Sequence, residues 1–395
     1  MRVVLVGSYP IDLERVQGGV EASFSTLVSG LAEFPDLNLH VVTFVPGLDA
    51  PIHREVGGVP VDYLPTIRRL RTLTLHIRER RALATKLAAL RPDVVHAQDI
   101  GYHGFMCLKT ADPERLVVSI HGINRAERKF VTNPVTRVRV RIAIAIESYC
   151  IRNARYLVQP TRYPEQFFGD EIRGRIWDVG NPIADHFFSI EPSPETGRMM
   201  YTGAFIPRKR LLDLVEAMPR IVAAIPTAHL RAIGFAADSG YADRVRQRIA
   251  DLGVEDRITF LHGLSAEELF DEYRHASVLV LPSGEETSPM VIGEAMAAHV
   301  PVVATRVGGV PSLVDEGRTG HIVEPGDVDA LADRIAHVLG DAARARAMGE
   351  AGHAKATGNY RVEAVAARVR SVYDEVARRR YEPLESLETS PPAVG

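Results

Sequence analysis

Apolar positions along the chain gather into short β-branched runs, and longer stretches with helical spacing separate them. In the first half the runs are 3–6, 39–45, 94–96, 116–120 and 156–159. In the second they are 199–202, 229–233, 258–261, 278–281 and 302–305. Several are apolar throughout, as strands buried on both faces are. Helical spacing occupies 21–34, 136–153, 211–224 and 330–339. The alternation predicts an α/β protein with doubly wound parallel sheets.

The pattern starts afresh after Gly180-Asn181-Pro182 and the Pro-rich stretch 191–195, which reads as a linker. The expected division is an N-terminal Rossmann-like domain over 1–182 and a C-terminal one over 183–361, facing across a cleft. A helix over 362–381 is expected to pack back on the first domain. Residues 382–395, Pro-bearing and poor in apolar groups, read as a disordered tail. The 395 residues match two domains at about 150 residues each. Hydrophobic residues at 46% and charged residues at 25% exclude a disordered or collagen-like chain.

The formal net charge of −3 is uneven. Residues 1–190 carry 24 Lys/Arg against 20 Asp/Glu, and residues 191–395 carry 23 against 30. That is too mild for a nucleic-acid binder. Cys107 and Cys150 fit neither a disulfide framework nor a metal pattern and read as reduced thiols. With no signal-peptide pattern at the start, the expected location is cytoplasmic.

The most informative stretch is 282–298, which follows the apolar run 278–281. Ser288 before Pro289 predicts a helix with serine as its cap and proline at its first position. The amides of Met290, Val291 and Ile292 are then expected to be free, forming an anion site with the helix dipole. Glu286 precedes this helix. Glu294, on its second turn, is the one formally charged side chain between Glu286 and Arg306. Burying it unpaired is expensive, so sugar hydroxyls are its expected partners, with a distant Arg as the alternative. Arg208, Lys209 and Arg210 crowd a second predicted helix start, where the dipole disfavours cations unless a polyanion binds.

These segments resemble the retaining glycosyltransferases of family 4, which have the GT-B fold. The resemblance covers about residues 1–380. It rests on Glu286 and Glu294 as an E-x7-E pair, on 300–309, on Gly203 to Lys209 as a diphosphate-binding segment, and on Gly18-Gly19-Val20-Glu21 as a glycine loop. It implies transfer of a hexose, with retention, from a UDP- or GDP-sugar to a sugar, glycan or lipid-linked acceptor. Lys209 and Arg208 would neutralise the leaving diphosphate, and Glu286 would contact the donor sugar. Glu294 would hold the ribose, while Ser288, Pro289, Met290 and Val291 line the sugar and phosphate. Gly203, Gly263 and Leu264 would meet diphosphate and base through main chain. Gly18 and Gly19 would let the first domain approach the phosphates. His121, after the run 116–120, would position the donor sugar. No cofactor is expected, and no metal, on the reading that the chain carries no Asp-x-Asp motif. Ala204, His299 and Asn181-Pro182-Ile183 depart from the family pattern. A non-catalytic nucleotide-sugar-binding protein and a GT-B nucleotide-sugar epimerase are the competing readings.

Residues 68–91 hold eight basic side chains against one acid, and 125–141 are also basic. One expectation is peripheral contact with an anionic membrane at the inner face through 68–91. A second is contact with a phosphorylated or acidic acceptor, and the alternative to both is a solvated face with local ion pairs.

Overall fold

The computed structural model describes residues 1–13, 18–66, 76–131 and 133–379. The first sheet holds β1 (Arg2–Val6), β2 (Asn38–Pro46), β3 (Ile52–Val56), β4 (Val59–Thr66), β5 (Val94–Ala97), β6 (Leu116–Ser119), β7 (Tyr156–Gln159) and β8 (Arg175–Asp178). Their order is β3-β4-β2-β1-β5-β6-β7-β8. Its helices are α1 (Gly19–Ala32), α2 (Ile77–Leu90), α3 (Tyr102–Leu108), α4 (Asn124–Glu127), α5 (Pro134–Asn153) and α6 (Tyr163–Phe168). The second sheet holds β9 (Arg198–Thr202), β10 (His229–Ile233), β11 (Ile258–Leu261), β12 (Val278–Leu281), β13 (Val302–Thr305) and β14 (Gly320–Val323), in the order β11-β10-β9-β12-β13-β14. The remaining helices are α7 (Asp185–Phe188), α8 (Leu211–Ala224), α9 (Ser239–Leu252), α10 (Ala266–His275), α11 (Met290–Ala297), α12 (Val310–Leu313), α13 (Val328–Leu339), α14 (Ala342–Asn359) and α15 (Val362–Arg379).

Among the described residues both sheets are parallel except for the β3–β4 hairpin. Helices cover both faces, which is why β12 (VLVL) and β13 (VVAT) are buried along their whole length. All ten predicted strands form. Four more form without an apolar run to announce them, each for a local reason. β3 is an exposed edge strand with a polar centre, His53-Arg54-Glu55. Pro60 and Asp62 interrupt the apolar pattern of β4. Gly57 and Gly58 join these two strands with φ of 58° and 77°, the left-handed pair that a tight hairpin turn requires. β8 is a short edge strand exposed at both ends. β14 begins at Gly320, where a Cβ would lie 2.0 Å from the Val302 carbonyl oxygen, so close pairing replaces an apolar run.

The helix α15 lies in the first sheet's core, not the second's. Val365, Val369, Tyr373 and Val376 are buried with Leu5, Phe24, Leu27 and Leu31. Gly30 of α1 makes room, since a Cβ there would lie 2.5 Å from Val362 Cγ1. The chain therefore crosses between sheets twice. The two crossings touch, and Ile183 N donates to Tyr360 O at 2.8 Å. The Pro-rich stretch after the first crossing is bonded along the second domain, with Ser193 N on Arg274 O and Glu195 N on His275 O, both at 2.9 Å. The predicted tail 382–395 lies outside the described residues.

Each sheet reverses its winding once, between β1 and β5 in the first and between β9 and β12 in the second. Ligand crevices of open α/β sheets form outside the strand ends at these points. The loops after β1, β9 and β12 carry the glycine loop, the basic turn and Glu286.

Candidate active site

The basic turn after β9 is a 3-10 turn over Pro207–Lys209, and Arg210 follows at φ 49° before α8 starts at Leu211. The left-handed Arg210 ends one turn and starts the next, so the cations sit before the helix. The turn is tied to the loop after β12, because Gly284 N donates to Arg208 O at 2.7 Å. Lys209 Nζ donates to Glu286 Oε1 at 2.6 Å, and Ser283 Oγ donates to the same oxygen at 2.6 Å. Arg208 Nη1 lies 3.5 Å from Glu286 Oε2 and donates to the Glu285 carbonyl at 2.9 Å. Burial pushes the Glu286 carboxyl up, but Lys209 and Arg208 outweigh it and hold the group below its ordinary range. Glu286 is therefore a buried, ionised carboxylate.

Its backbone is held as firmly. Gly309 N donates to Glu286 O at 2.9 Å, and Gly308 adopts φ 49° with no room for a Cβ, which would lie 1.8 Å from that oxygen. The segment 300–309 thus shapes the loop that presents Glu286.

The helix α11 starts at Met290, one residue later than the sequence suggests, with Pro289 as its cap. Ser288 is not the cap, and its carbonyl accepts from Asn181 Nδ2 at 3.3 Å. The proline ring fixes an extended entry at φ −68° and ψ 119°, so the first turn closes through the Ile292 amide, which donates to Pro289 O at 3.2 Å. That amide is not free, contrary to the expectation from sequence. Among the described residues the Met290 and Val291 amides have no acceptor.

Within the protein Glu294 has a partner, and it is not an arginine. Tyr273 Oη donates to Glu294 Oε2 at 2.7 Å. Burial raises the Glu294 carboxyl, and that hydrogen bond only partly offsets it.

The first domain meets this arrangement directly. Gly18, at φ 85°, turns the chain into α1, and a Cβ on Gly19 would lie 3.0 Å from Met290 Cγ. The glycine loop thus lies against the start of α11. His121 follows β6, half-buried, with Nε2 3.3 Å from Gln98 Oε1. Burial pushes its imidazole down to about 4, so it is neutral near pH 7.

Several groups at the domain contact are not evident in the sequence. Glu127 Oε2 lies 3.8 Å from Arg208 Nε, and Lys129 Nζ lies 3.5 Å from Glu285 Oε2. Phe130 packs so close to Gly284 that a Cβ there would lie 2.6 Å from its Cζ. Thr161 Oγ1 donates to the Thr287 carbonyl at 3.0 Å. The sequence signal there is the density of charge in 125–130, which is read either as a contact for an acidic partner or as a solvated face.

Gly203 packs its carbonyl on Gly234, and Lys209 Cδ lies 3.7 Å from where a Gly203 Cβ would stand. His262 Nδ1 donates to Gly234 O at 2.9 Å, and Gly263 adopts φ 62°, presenting main chain beside half-buried Leu264. A cavity of about 250 Å³ opens there, lined by Phe205, Phe260, His262 and Arg246.

Contrary to the expectation from sequence, an Asp-x-Asp triplet does occur, Asp327-Val328-Asp329. Asp327 caps α13 by accepting from Ala330 N, and Asp329 pairs with Arg220. Both carboxylates are occupied at the end of a surface helix.

The match with known proteins runs the length of both domains. The profile described as glycosyl transferases group 1 matches residues 183–355, and that described as glycosyltransferase family 4 matches residues 17–176. The chain belongs to glycosyltransferase family 4. This family-4 chain is 35% identical over 162 residues to the GDP-mannose-dependent alpha-(1-6)-phosphatidylinositol monomannoside mannosyltransferase of Mycolicibacterium smegmatis, covering 39% of the chain and 42% of that protein. It is 34% identical over 180 residues to the D-inositol 3-phosphate glycosyltransferase of Corynebacterium efficiens, covering 44% of the chain and 42% of that protein. The matched segment thus spans less than half the length of these curated relatives. The GT-B fold of the family-4 chain matches the sucrose-phosphate synthase structure from Thermosynechococcus elongatus with a TM-score of 0.78 at 22% identity, over 96% of this chain and 99% of that one. It matches the Anabaena HepE complex with UDP-glucose with a TM-score of 0.73 at 19% identity, over 95% of this chain and all of that one (100%).

Among the described residues no helix is long and apolar enough to cross a membrane. Of the basic run, Arg68, Arg69 and Arg71 lie outside the described residues. Lys86 pairs with Asp62 at 2.8 Å, and Arg125 of the second basic stretch pairs with Glu171. These two cations are engaged in local ion pairs.

Proposed function

We propose that the chain is a retaining hexosyltransferase that moves a sugar from a UDP- or GDP-sugar to a glycan, lipid-linked or small-molecule acceptor without a metal ion. The observation that carries this reading is the convergence of Lys209 and Arg208 on buried Glu286, beside the two free amides of α11. Such a set has cations and dipoles ready for a leaving diphosphate, and charge fixed in place before the reaction commonly lowers an enzyme's barrier more than any other effect. Two Arg/Lys side chains supply the neutralisation that a divalent ion otherwise provides.

In the reaction the bond from the anomeric carbon to the diphosphate oxygen breaks, with charge developing on that oxygen. Lys209 and Arg208 take up this charge. The acceptor oxygen bonds to the anomeric carbon on the face the diphosphate leaves, and the acceptor proton passes to a phosphate oxygen. Neutral His121 accepts or donates a hydrogen bond to the donor sugar and is not the general base. Glu286 meets the sugar, Glu294 the ribose, and the main chain around Gly263 and Leu264 the base. Peripheral membrane contact through 68–91 belongs to this reading as the way a lipid-linked acceptor is reached.

Thermal shifts with UDP, GDP, ADP, TDP and CMP, each with and without EDTA, test the donor site. A ligand at 100 times its Kd stabilises by about 2.7 kcal/mol. One diphosphate shifting Tm by several degrees, unchanged by EDTA, is expected. GDP-mannose is the first donor to try, because relatives 35% identical are named for it. NMR of the product then reads the anomeric configuration. No shift with any nucleotide would move the non-catalytic reading forward. Conversion of the sugar without acceptor would favour the epimerase.

A further inference from the structure

Away from the cleft, the outer edge of the first sheet brings together three side chains that the transfer chemistry does not use. They are His40 on β2, His53 on β3 and Asp62 on β4. Strand register puts them on one face. His53 stands opposite Asp62 in the antiparallel pair, Val42 stands opposite Asp62 in the parallel pair, and His40 is two residues from Val42. His40 Nε2 lies 2.8 Å from Asp62 Oδ2, and His53 Nδ1 lies 3.2 Å from Asp62 Oδ1. All three ligand atoms lie within 4.8 Å of one another. His40 and Asp62 are buried, while His53 is exposed.

We propose that His40, His53 and Asp62 form a binding site for a single Zn²⁺-type cation. The donor set is two imidazole nitrogens and one carboxylate oxygen, which is the chemistry zinc takes with an open fourth position for water. Zinc–nitrogen bonds of about 2.0–2.1 Å place tetrahedral ligand atoms about 3.3 Å apart. The two observed nitrogen–oxygen separations, 2.8 and 3.2 Å, lie just below that value, and the exposed His53 ring is free to adjust. The pocket already favours positive charge, because Lys86 Nζ of α2 lies 2.8 Å from Asp62 Oδ2. Lys86 is 37% exposed on its side chain and swings to solvent as the ion takes its place. The bound ion clasps the antiparallel hairpin to β2. Its strand β3 is the one strand of the first sheet, among the described residues, that pairs antiparallel with its neighbour, β4.

The full chain, stripped with a chelator and dialysed, is titrated with Zn²⁺ against a chromophoric competitor and separately with Co²⁺. Expected are one equivalent bound, tetrahedral Co²⁺ absorption bands, and a Tm several degrees higher with metal. His53→Ala, at an exposed site that tolerates the change, is expected to weaken binding at least tenfold. Asp62→Asn is expected to abolish the bands. No stoichiometric binding, or binding of equal affinity in His53→Ala, would overturn the proposal. The readout is metal binding, so it stands or falls separately from the donor reading.

Discussion

Lys209 Nζ and Glu286 Oε1 form a 2.6 Å ion pair at the point where two strand-end loops meet. The pair is the resting partner set of a cation that the proposed reaction needs on a phosphate. Donor binding must redistribute it, leaving Glu286 on Ser283 and Arg208 while Lys209 turns to the diphosphate. We expect Lys209→Ala to lower kcat by about 100-fold or more, equivalent to about 2.7 kcal/mol of barrier. The same variant loses stability, because Glu286 keeps its burial without its closest cation. The pH dependence has a definite sign. The Glu286 carboxyl is lowered in the fold, so its stabilisation is complete above the unfolded value of about 4.3 and is lost as pH falls through the folded value. Denaturant unfolding of both proteins at pH 7 and pH 3 should show the gap between them shrinking in acid.

The Tyr273–Glu294 bond predicts a different kinetic signature. Tyr273→Phe removes the hydroxyl that holds a half-buried carboxylate, a bond worth about 1.5–3 kcal/mol when one partner is charged. The Glu294 carboxyl then rises further, and the donor must bind against a group that is more often protonated. Steady-state kinetics should show KM for the donor rising more than kcat falls. Equal loss in both would remove Glu294 from the ribose.

Gly308 is a position where no other residue fits. Its φ of 49° costs a side chain about 1–3 kcal/mol, and a Cβ there would lie 1.8 Å from the Glu286 carbonyl oxygen. Gly308→Ala should lower Tm by several degrees and displace Glu286, abolishing turnover. Gly57→Ala, also at positive φ but with open space around it, carries the backbone strain alone and is the control.

Acid stability should turn on His96. It is fully buried, with Nδ1 2.7 Å from Tyr373 Oη and Nε2 2.8 Å from Ser119 Oγ. Burial pushes its imidazole down to about 3. Between the unfolded value of about 6.5 and that figure, the unfolded chain binds a proton that the folded chain refuses. Stability should therefore fall by about 1.4 kcal/mol per pH unit from this group alone as pH drops below 6.5. Chemical denaturation of wild type and His96→Gln from pH 7 to pH 4 checks this, the variant showing the shallower slope.

The parallel strands and the Glu286/Glu294 spacing are legible because each is written in contiguous residues. A strand buried on both faces has to be apolar throughout, and E-x7-E fixes its own geometry through one helix turn and a loop. What sequence reasoning misses depends on contacts between distant segments. The edge strands β3 and β8 carry polar residues because one side meets water. Tyr273, 21 residues from Glu294, looks like any core aromatic until the fold brings its hydroxyl to 2.7 Å. Glu127, Lys129 and Phe130 read as part of a charged surface, since nothing in their local pattern says that a second domain meets them. The helix start is misplaced by one residue because proline is acceptable both as cap and as first helical residue.

The packing of α15 against α1 bears on how the molecule is made. The buried residues of α15, among them Val365, Val369 and Tyr373, complete a core whose other members lie within the first 180 residues. A chain leaving the ribosome from its N-terminus therefore cannot close its first core until nearly all of the second has been synthesised. The N-terminal domain must wait with one apolar face of α1 uncovered while the other domain has everything it needs to fold. Assembly order is thereby the reverse of synthesis order. A fragment ending near residue 182 should bind chaperones or aggregate, and a peptide spanning α15, supplied in trans, should restore its solubility.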